Sequence, residues 1–383
     1  MYNYTFNLNS QIIFGQGSVN KIPNLISDFK CKNVIVVTDP GVVSAGILDK
    51  LTQIINQTDC NIYIFDKVAS DPSTKIIEEI FRYARQNEID LILAIGGGSP
   101  IDASKGVSLL FNNEGKLQDY AGVNKVKNKG IPLIAIPTTS GTGSEVTCFA
   151  VLSDLDANTK FTITSNLIVP DFAVLDPELT LSLPPKLTAA TGLDALTHAI
   201  ESYTSLISQP ISDALALEAM SLLYKYLPRA VMNGGDLEAR TNVMQAELMA
   251  GIAFNNAFLG LSHAIASPLG AHYHIPHGIA NAIMLPYVLK FNYVSSPEKF
   301  IKIARAFGIN KTSNDLYDDA YVAVDAVEKL VKYCGLPSKL NELGVKKEKI
   351  DQIAKDALLS VQLKFNCRRA SEEQIKAILE EAL

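Results

Sequence analysis

The spacing of apolar residues changes near residue 182, and this change constrains the fold more than any other feature of the sequence. Before it, short β-branched runs such as 33–39 and 90–95 alternate with amphipathic stretches such as 73–88. After it, apolar residues recur with the helical period of about 3.6 residues, as in 211–232. Strands that alternate with helices indicate βαβ units and a parallel sheet. The second half is predicted to be entirely helical.

The sequence therefore predicts an α/β domain, residues 1–181, with a Rossmann-like parallel sheet, and an all-helical domain, residues 182–383. The Pro-rich stretch 176–185 marks the boundary. The predicted strands are 33–39, 61–66, 90–95 and 131–139. The predicted helices include 44–57, 73–88, 211–232, 237–258, 296–307, 314–334 and 347–361. A cleft between two such domains is where a ligand is expected to bind.

Composition excludes several classes of protein. The 383 residues carry a net charge of −6, whereas nucleic acids and anionic membranes are bound by basic surfaces. The five cysteines are scattered, with no Cys-x-x-Cys pair, which favours reduced thiols and a cytoplasmic protein. Neither a signal peptide nor an apolar run of about 18 residues is evident, so no membrane partner is predicted.

The stretch AIGGGSPIDASKG joins a strand, a glycine turn and a helix. Gly97 and Gly98 would let the backbone approach a pyrophosphate, which the N-terminus of the helix would hold. We predict Ser99 as the N-cap, Pro100 as the first helical residue and Asp102 in a capping-box position. The stretch is not a GxGxxG motif, and a purely structural turn remains an alternative.

Two further features follow predicted strands. The loop IPTTSGTGSEVT contains Thr138 and Thr139, whose hydroxyl groups suit contacts to sugar and phosphate. An ordinary polar loop explains that stretch almost as well. Asp39 ends the strand 33–39, where a carboxylate would bind ribose hydroxyls and favour NAD over NADP. A helix-capping aspartate is the alternative.

The histidines are unevenly distributed. Of the five histidines, four lie within residues 261–278, and the fifth, His198, follows Asp194 by four residues. That spacing places the side chains of Asp194 and His198 on one face of a helix. Any one of these histidines alone is more simply explained as a buried structural residue. Taken together, the imidazoles of His198, His263 and His277 and the carboxylate of Asp194 suit Fe²⁺ or Zn²⁺. The four histidines within residues 261–278 are His263, His272, His274 and His277.

Taken in their order along the chain, the sequence motifs resemble those of the iron-containing, group III alcohol dehydrogenase family over nearly the full length. The resemblance rests on IGGGSPIDASKG, PTTSGTGSEVT, DPELT, GLDALTHAIESY and HAIASPLGAHYHIPHGIANAIMLP. It implies an α/β nucleotide-binding domain followed by a helical metal-binding domain. It also implies NAD(H)-linked, iron-dependent interconversion of a small primary alcohol and its aldehyde, with Zn²⁺ as an alternative metal, in a homodimer or larger homo-oligomer.

The resemblance also implies roles for individual residues. The metal ligands would be Asp194, His198, His263 and His277. The cofactor contacts would be Asp39, Gly97, Gly98, Ser99, Thr138, Thr139, Thr147, Phe149 and Lys160. The substrate would lie near Phe149, Phe254, Ser267, Cys367 and Arg368. The remaining histidines, His272 and His274, would line the cleft or support the ligands.

Two positions depart from the family pattern. Ser267 stands where the family often has a second histidine, so proton relay would need water, a ribose hydroxyl, His272 or His274. We predict that Ser267 shapes substrate preference instead. In FNCRRAS, Cys367 replaces a proline common in the family and precedes an arginine pair. Arginine binds carboxylates and sulfonates, which favours an anionic aldehyde such as a semialdehyde or sulfoacetaldehyde. A surface arginine pair is the alternative.

Other functions stay open at this point. A glycerol dehydrogenase-like or dehydroquinate synthase-like enzyme would use the same fold, NAD and a metal. A metal-dependent hydrolase would need no dinucleotide and would not bind NADH. A non-catalytic metal-binding module would explain the histidines but would leave both glycine-rich turns without a purpose.

Overall fold

The computed structural model describes residues 3–157, 159–310 and 312–383, which form two compact units. The first unit consists of Leu8–Thr139 and Gly143–Ser182. The second consists of Leu183–Leu383 together with residues 3–7 and Ser140–Thr142. The main division falls between Ser182 and Leu183, one residue from the predicted boundary. Assignment of the short segment Ser140–Thr142 to the helical unit was not predicted.

The strands of the first unit form two sheets. Their bounds are β1 (Gln11–Phe14), β2 (Asn33–Val37), β3 (Asn61–Phe65), β4 (Leu91–Gly96), β5 (Gly122–Val123), β6 (Leu133–Pro137), β7 (Phe149–Asp154), β8 (Thr159–Thr164) and β9 (Phe172–Leu175). The larger sheet has the order β1-β9-β6-β4-β2-β3, and its strand pairs are parallel. The smaller sheet has the order β5-β8-β7, with β7 and β8 antiparallel.

The order of the strands marks a place for a ligand. Strands β4 and β6 are buried along their whole length, which accounts for their uninterrupted apolar sequence. The chain runs from β2 to β3 on one side and then crosses β2 to form β4 on the other. This reversal creates a topological switch point between β2 and β4. Open α/β sheets bind ligands outside the carboxyl ends of the strands at such a point.

The helices of the first unit differ from prediction in several places. Their bounds are α1 (Ile22–Phe29), α2 (Pro40–Ser44), α3 (Ile47–Ile55), α4 (Thr74–Gln86) and α5 (Gly98–Asn112), and helix α1 was not predicted. Within the predicted helix 44–57, the chain ends α2 at Ser44 and begins α3 at Ile47, after Gly46, whose φ of 70° is left-handed. Strands β1 and β9 and the hairpin of β7 and β8 were not predicted.

The second unit is helical over its described residues, as predicted. Its helices are α6 (Pro185–Thr204), α7 (Pro210–Met232), α8 (Leu237–Ala257), α9 (Leu261–Tyr273), α10 (His277–Asn292), α11 (Pro297–Ala306), α12 (Leu316–Tyr333), α13 (Ile350–Leu358) and α14 (Glu372–Ala382). Helix α6 runs through the core and packs against α7, α8 and α10. It is buried along almost its whole length after Thr188, so its polar side chains need partners inside the unit.

Among the described residues, no single helix is both long and apolar enough to cross a membrane. Helices α8 and α9 meet the criterion only as a pair, and the chain bends by 102° between them.

Candidate metal centre and nucleotide site

Three predicted ligands come together in the helical unit. Asp194 on α6, His263 on α9 and His277 at the start of α10 each offer one ligand atom, and these atoms lie within 4.8 Å of one another. The Nε2 atoms of His263 and His277 lie 3.7 and 3.8 Å from Asp194 Oδ1. Ligand atoms bound about 2.1 Å from one tetrahedral ion would lie about 3.4 Å apart. The spacing therefore suits a single cation.

His198, the fourth predicted ligand, lies beside these three residues. It is not part of the group whose ligand atoms lie within 4.8 Å of one another. Its ring stacks on that of His263, with centroids 4.8 Å apart, and on that of Phe254, with centroids 4.4 Å apart. His198 Nδ1 lies 3.1 Å from the carbonyl oxygen of Gly141. Because a carbonyl only accepts hydrogen bonds, Nδ1 carries the proton and Nε2 keeps its lone pair. His198 is thus in the tautomer that can bind a metal through Nε2.

His263 is held in the same tautomer by a carboxylate. Its Nδ1 lies 2.7 Å from Glu201 Oε2. That carboxylate already accepts hydrogen bonds from the backbone N–H groups of Gly260 and Ser262, so the histidine must donate. His263 Nε2 is left buried, with no hydrogen-bond partner among the described residues. A buried polar atom without a partner is costly, and a bound cation would satisfy it.

Asn281 links the remaining two ligands. It follows His277 by one helical turn, and its Nδ2 donates to Asp194 Oδ1 at 2.7 Å and to His277 Nε2 at 3.1 Å. His277 Nε2 is therefore also in its acceptor form. The side chain of His277 is 51% exposed, whereas that of Asp194 is 5% exposed. The group is therefore buried on the α6 side and accessible at His277.

The charges of Asp194 and His198 favour cation binding. Burial raises the pKa of Asp194, but the imidazoles, that of His198 first, outweigh this effect and the pKa lies below its ordinary value. Burial lowers the pKa of His198 to about 4. At neutral pH the carboxylate is therefore ionised and His198 is neutral. Both groups are then in the protonation state of a metal ligand.

The glycine turn of the first unit packs closely against Asp39. A Cβ on Gly96 would lie 2.6 Å from Pro100 Cγ and 2.8 Å from Asp39 Oδ2. Asp39 Oδ1 accepts hydrogen bonds from the backbone N–H groups of Gly41 and Val42. One carboxylate oxygen thus caps α2, while the other faces the glycine turn. Both interpretations of Asp39 agree with the geometry.

The predicted start of the nucleotide-side helix was wrong. Helix α5 begins at Gly98 with Gly97 as its N-cap, so Ser99 is not the cap. Asp102 does not form a capping box, because its carboxylate accepts hydrogen bonds from Ser144 Oγ and from the Val151 backbone. Because the N-cap residue is Gly97, it has no side chain to accept hydrogen bonds from the first N–H groups of α5. Such groups at a helix N-terminus are suited to phosphate oxygens.

Lys105 on α5 is a residue whose role the sequence analysis missed. Its side chain is completely buried, and Nζ donates to Ser144 Oγ at 3.0 Å. It also donates to the carbonyl oxygens of Thr147 at 2.9 Å and Phe149 at 2.6 Å. Burial lowers the pKa of Lys105, and Asp102, 3.8 Å away, opposes that change. Lys105 therefore ties α5 to two of the predicted cofactor residues.

The carboxyl ends of β4 and β6 bring the two glycine-rich motifs together. Thr138 donates its backbone N–H to the carbonyl oxygen of Gly96 at 3.0 Å. Thr139 Oγ1 would lie 3.3 Å from a Cβ on Gly97. Since β2 is parallel to β4, Asp39 lies at the same edge of the sheet. These predicted cofactor residues therefore flank the topological switch point.

Several other predicted residues have partners elsewhere. Lys160 Nζ forms an ion pair with Asp71 at 2.7 Å, so its predicted ribose contact stays a prediction. His272 Nε2 lies 2.6 Å from Asp356 Oδ2 on α13, and His274 is an exposed residue with a φ of 54° at the end of α9. Their predicted places in the cleft or beside the ligands stay predictions. The residues that contact the ligands are Gly141, Glu201 and Asn281.

Arg368 is likewise engaged by a neighbouring residue. Its guanidinium lies 3.9 Å from the ring centroid of Phe291 and donates to the carbonyl oxygen of that residue. Phe291 follows His277 by fourteen residues on α10, a rise of about 21 Å. The Arg368 guanidinium is thus held at the carboxyl end of α10, and its predicted contact with the substrate stays a prediction. Neighbouring Cys367 accepts a hydrogen bond from Ser295 at 3.4 Å.

Comparisons with known proteins decide the family. Residues 9–177 match the family model described as iron-containing alcohol dehydrogenase. Residues 188–383 match the model described as the C-terminal part of the Fe-containing alcohol dehydrogenase family. The chain belongs to the iron-containing alcohol dehydrogenase family. Both the resemblance and the predicted fold class are confirmed, and the enzyme class is that of an alcohol dehydrogenase.

Relatives of this dehydrogenase are named after different substrates. It is 38% identical over 371 residues to the NAD-dependent methanol dehydrogenase of Bacillus methanolicus, with 97% of each chain covered. A 1,3-propanediol oxidoreductase structure matches with a TM-score of 0.98, 37% identity and full coverage of both chains. Sulfoacetaldehyde reductase from Bifidobacterium kashiwanohense, in complex with NAD⁺, matches with a TM-score of 0.91, 30% identity and coverage of 100% and 99%.

Some of the missed residues carried a sequence signal. Glu201 follows His198 by three residues, and Asn281 follows His277 by four. These spacings place each pair on one helix face. Lys105 follows Asp102 by three residues in the same helical stretch, a spacing that suits an ion pair. The carbonyl group of Gly141 left no signal, because any residue type supplies a carbonyl.

Proposed function

We propose that this dehydrogenase interconverts a small primary alcohol and its aldehyde with NAD(H) and a divalent metal ion. The group formed by Asp194, His263 and His277 carries this proposal. Its histidines offer Nε2 lone pairs, and the buried Nε2 of His263 lacks a hydrogen-bond partner among the described residues. These properties fit a cation site better than a structural hydrogen-bond network.

We propose Asp194, His198, His263 and His277 as the metal ligands. Three imidazoles and one carboxylate suit Fe²⁺, with Zn²⁺ as the alternative. The cation would polarise an aldehyde carbonyl or lower the pKa of an alcohol hydroxyl. The exposed face of His277 leaves room for a small substrate. Phe254, stacked on His198, would supply an apolar wall beside it.

We propose that the switch point of the parallel sheet binds the dinucleotide. Gly97, Gly98 and the first turn of α5 would hold the pyrophosphate. Asp39 would accept hydrogen bonds from ribose hydroxyls, which favours NAD over NADP. The other proposed contacts are Ser99, Thr138, Thr139, Thr147, Phe149 and Lys160. The hydride would pass between the substrate carbon and the nicotinamide. The nicotinamide would supply the redox chemistry, and the protein would hold the two reactants in position.

We propose an uncharged, short-chain substrate, because the guanidinium of Arg368, one of the two adjacent arginines, is engaged by Phe291. Ser267 is exposed one turn after His263 and donates to the carbonyl oxygen of His263 at 3.0 Å. A serine hydroxyl does not titrate near neutral pH, so the alcohol proton would leave through water or a ribose hydroxyl. Ser267→His should alter the relative kcat/KM values of different alcohols. Unchanged ratios would contradict a role in preference.

A reconstitution experiment tests the proposal. Metal-stripped protein, loaded with Fe²⁺ or Zn²⁺, would be assayed with NADH and NADPH on propanal, succinic semialdehyde and sulfoacetaldehyde. We expect metal-dependent turnover with NADH and no preference for the anionic aldehydes. His263→Ala should lose metal and turnover. His272→Ala, which removes a histidine bound to Asp356, should keep both.

Two outcomes would refute this function. If His263→Ala kept full metal content and turnover, the proposed metal site would be wrong. If fluorescence titration detected no NADH binding, a metal-dependent hydrolase would explain the site better. The homodimer or larger assembly is a separate proposal, which light scattering would contradict by a monomeric mass.

A further inference from the structure

A second buried carboxylate, that of Glu201, lies beside the proposed metal ligands and is not itself one of them. Glu201 is on α6, three residues after His198 and seven after Asp194. Its side chain is 3% exposed. Burying a charge is unfavourable unless the charge is paired and hydrogen-bonded. The structure must therefore supply Glu201 with specific partners.

Each oxygen of Glu201 accepts hydrogen bonds. Oε1 accepts from the Ser262 backbone N–H at 2.5 Å, and Oε2 accepts from the Gly260 backbone N–H at 2.9 Å. Gly260 is the N-cap of α9 and has no side chain to cap the helix, so the Glu201 carboxylate performs that function from α6. Oε2 also accepts from His263 Nδ1 at 2.7 Å.

The backbone at Gly260 allows this close approach. A Cβ on Gly260 would lie 3.2 Å from Glu201 Oε1 and 2.8 Å from Asn366 Oδ1. Asn366 Oδ1 also accepts from the backbone N–H of Leu261 at 3.2 Å. Two side chains therefore share the N-terminus of α9. Only Glu201 is hydrogen-bonded to a proposed metal ligand in addition.

We propose that Glu201 is a positioning residue of the metal centre, one that fixes the His263 ring and the first turn of α9 together. This inference rests on the proposed metal site. With Nδ1 donating to the carboxylate, the ring is held with Nε2 directed away from Glu201 and towards Asp194. A carboxylate on the distal nitrogen also makes an imidazole a stronger metal donor. Glu201 thus acts through His263.

The charge of Glu201 matters as well as its hydrogen bonds. Asp194 and Glu201 together bring two negative charges into the buried site, which a divalent cation would neutralise. Replacing Glu201 by glutamine preserves its size but leaves one buried carboxylate to balance the ion. A glutamine also turns one acceptor into a donor, which would face an N–H group. Both effects should weaken metal binding.

Metal titration of the full-length protein tests this role. Metal-stripped wild type and Glu201→Gln would be titrated with Co²⁺, with the visible absorption of the bound ion as the readout. Replacement of such a supporting group typically weakens metal affinity about 10–100-fold, and we expect a loss of that size. The Co²⁺ absorption bands should shift, because the donor strength and orientation of His263 change.

Asn366→Ala is the matched control. It removes a different acceptor from the same helix terminus without touching His263. Its Tm should fall, but its Co²⁺ affinity and spectrum should match those of the wild type. If Glu201→Gln fails to fold, Glu201→Asp takes its place, because it keeps the charge but is too short to reach all of its partners. Its Co²⁺ affinity should fall below that of Asn366→Ala.

The possible outcomes separate the inference from the function beneath it. A Tm loss in the folded Glu201 variant with wild-type Co²⁺ affinity and spectrum would make Glu201 a helix cap only, and would overturn the inference. Equal Co²⁺ binding by wild type and His263→Ala would instead overturn the proposed metal site. Weakened binding by the Glu201 variant, with normal binding by Asn366→Ala, would support the positioning role.

Discussion

Gly278→Ala is expected to damage the metal centre through backbone packing alone. Gly278 is the second residue of α10, directly after His277. A Cβ at this position would lie 2.4 Å from the carbonyl oxygen of Ala190 and 3.5 Å from Asp194 Cβ, whereas ordinary contact begins at 3.4 Å. The obstructing oxygen belongs to the backbone of α6 and cannot rotate away. Helices α6 and α10 must therefore separate by about 1 Å at this point.

The structure sets the size of the effect. Overpacking of this kind costs about 1–3 kcal/mol, and each kcal/mol lowers Tm by about 2–4 °C in a domain of this size. The same movement displaces His277 relative to Asp194, whereas metal–ligand distances hold to within about 0.2 Å. Metal affinity should therefore fall at least about tenfold.

Thermal unfolding and Co²⁺ titration would measure the two effects. Gly270→Ala is the control, because its Cβ would meet only the carbonyl oxygen of Ile275 at 3.4 Å. An added methyl group inside α9 should be neutral or stabilise by up to about 1 kcal/mol. The packing argument would be refuted if Gly278→Ala kept the wild-type Tm and Co²⁺ affinity.

Three other predictions follow. Asp39→Ala should cost about 1 kcal/mol through the lost cap of α2, and should raise the NADP-to-NAD ratio of kcat/KM; an unchanged ratio would leave Asp39 as a cap only. Chelation should lower the Tm of wild type but not of His263→Ala, since a metal at a hundredfold excess over its Kd adds about 2.7 kcal/mol. Hydrogen bonds from Gln16 and Lys50 hold the pKa of Glu178 below its ordinary value. Glu178→Gln should therefore cost less than about 1 kcal/mol at neutral pH. Its deficit in urea unfolding should disappear as the pH falls through that lowered pKa, because the carboxylate is then neutral; a deficit that persists in acid would contradict this.

Much of the fold could be predicted because its long elements are strongly periodic. The buried strands β4 and β6 and helices such as α7 and α8 are unambiguous in the sequence. Short elements were missed, since β1 and β9 have only four residues each. The N-cap of α5 was misplaced because several adjacent small residues could serve. The capping box was not formed because the Asp102 carboxylate is bound by Ser144, which is 42 residues away in the chain.

The proposed site could be predicted only in part, for a related reason. Histidines are rare in this chain, so their clustering and spacing pointed to metal ligands. The acceptor for His198 is a backbone carbonyl 57 residues away, which no residue type announces. The partner of Arg368 could not be predicted either, because it lies 77 positions away in the chain. Long-range contacts of this kind are fixed by the assembled fold and not by the local sequence.

The assignment of Ser140–Thr142 to the helical unit means that neither unit is a continuous cassette. A fragment beginning at Leu183 would carry all four proposed ligands but would lack the Gly141 carbonyl that selects the tautomer of His198. Truncation or domain exchange at residue 182 would therefore separate the proposed ligands from the peptide group that selects the His198 tautomer. A self-sufficient version of the helical half would need its own acceptor for His198 Nδ1, which here comes from a piece of chain between β6 and β7.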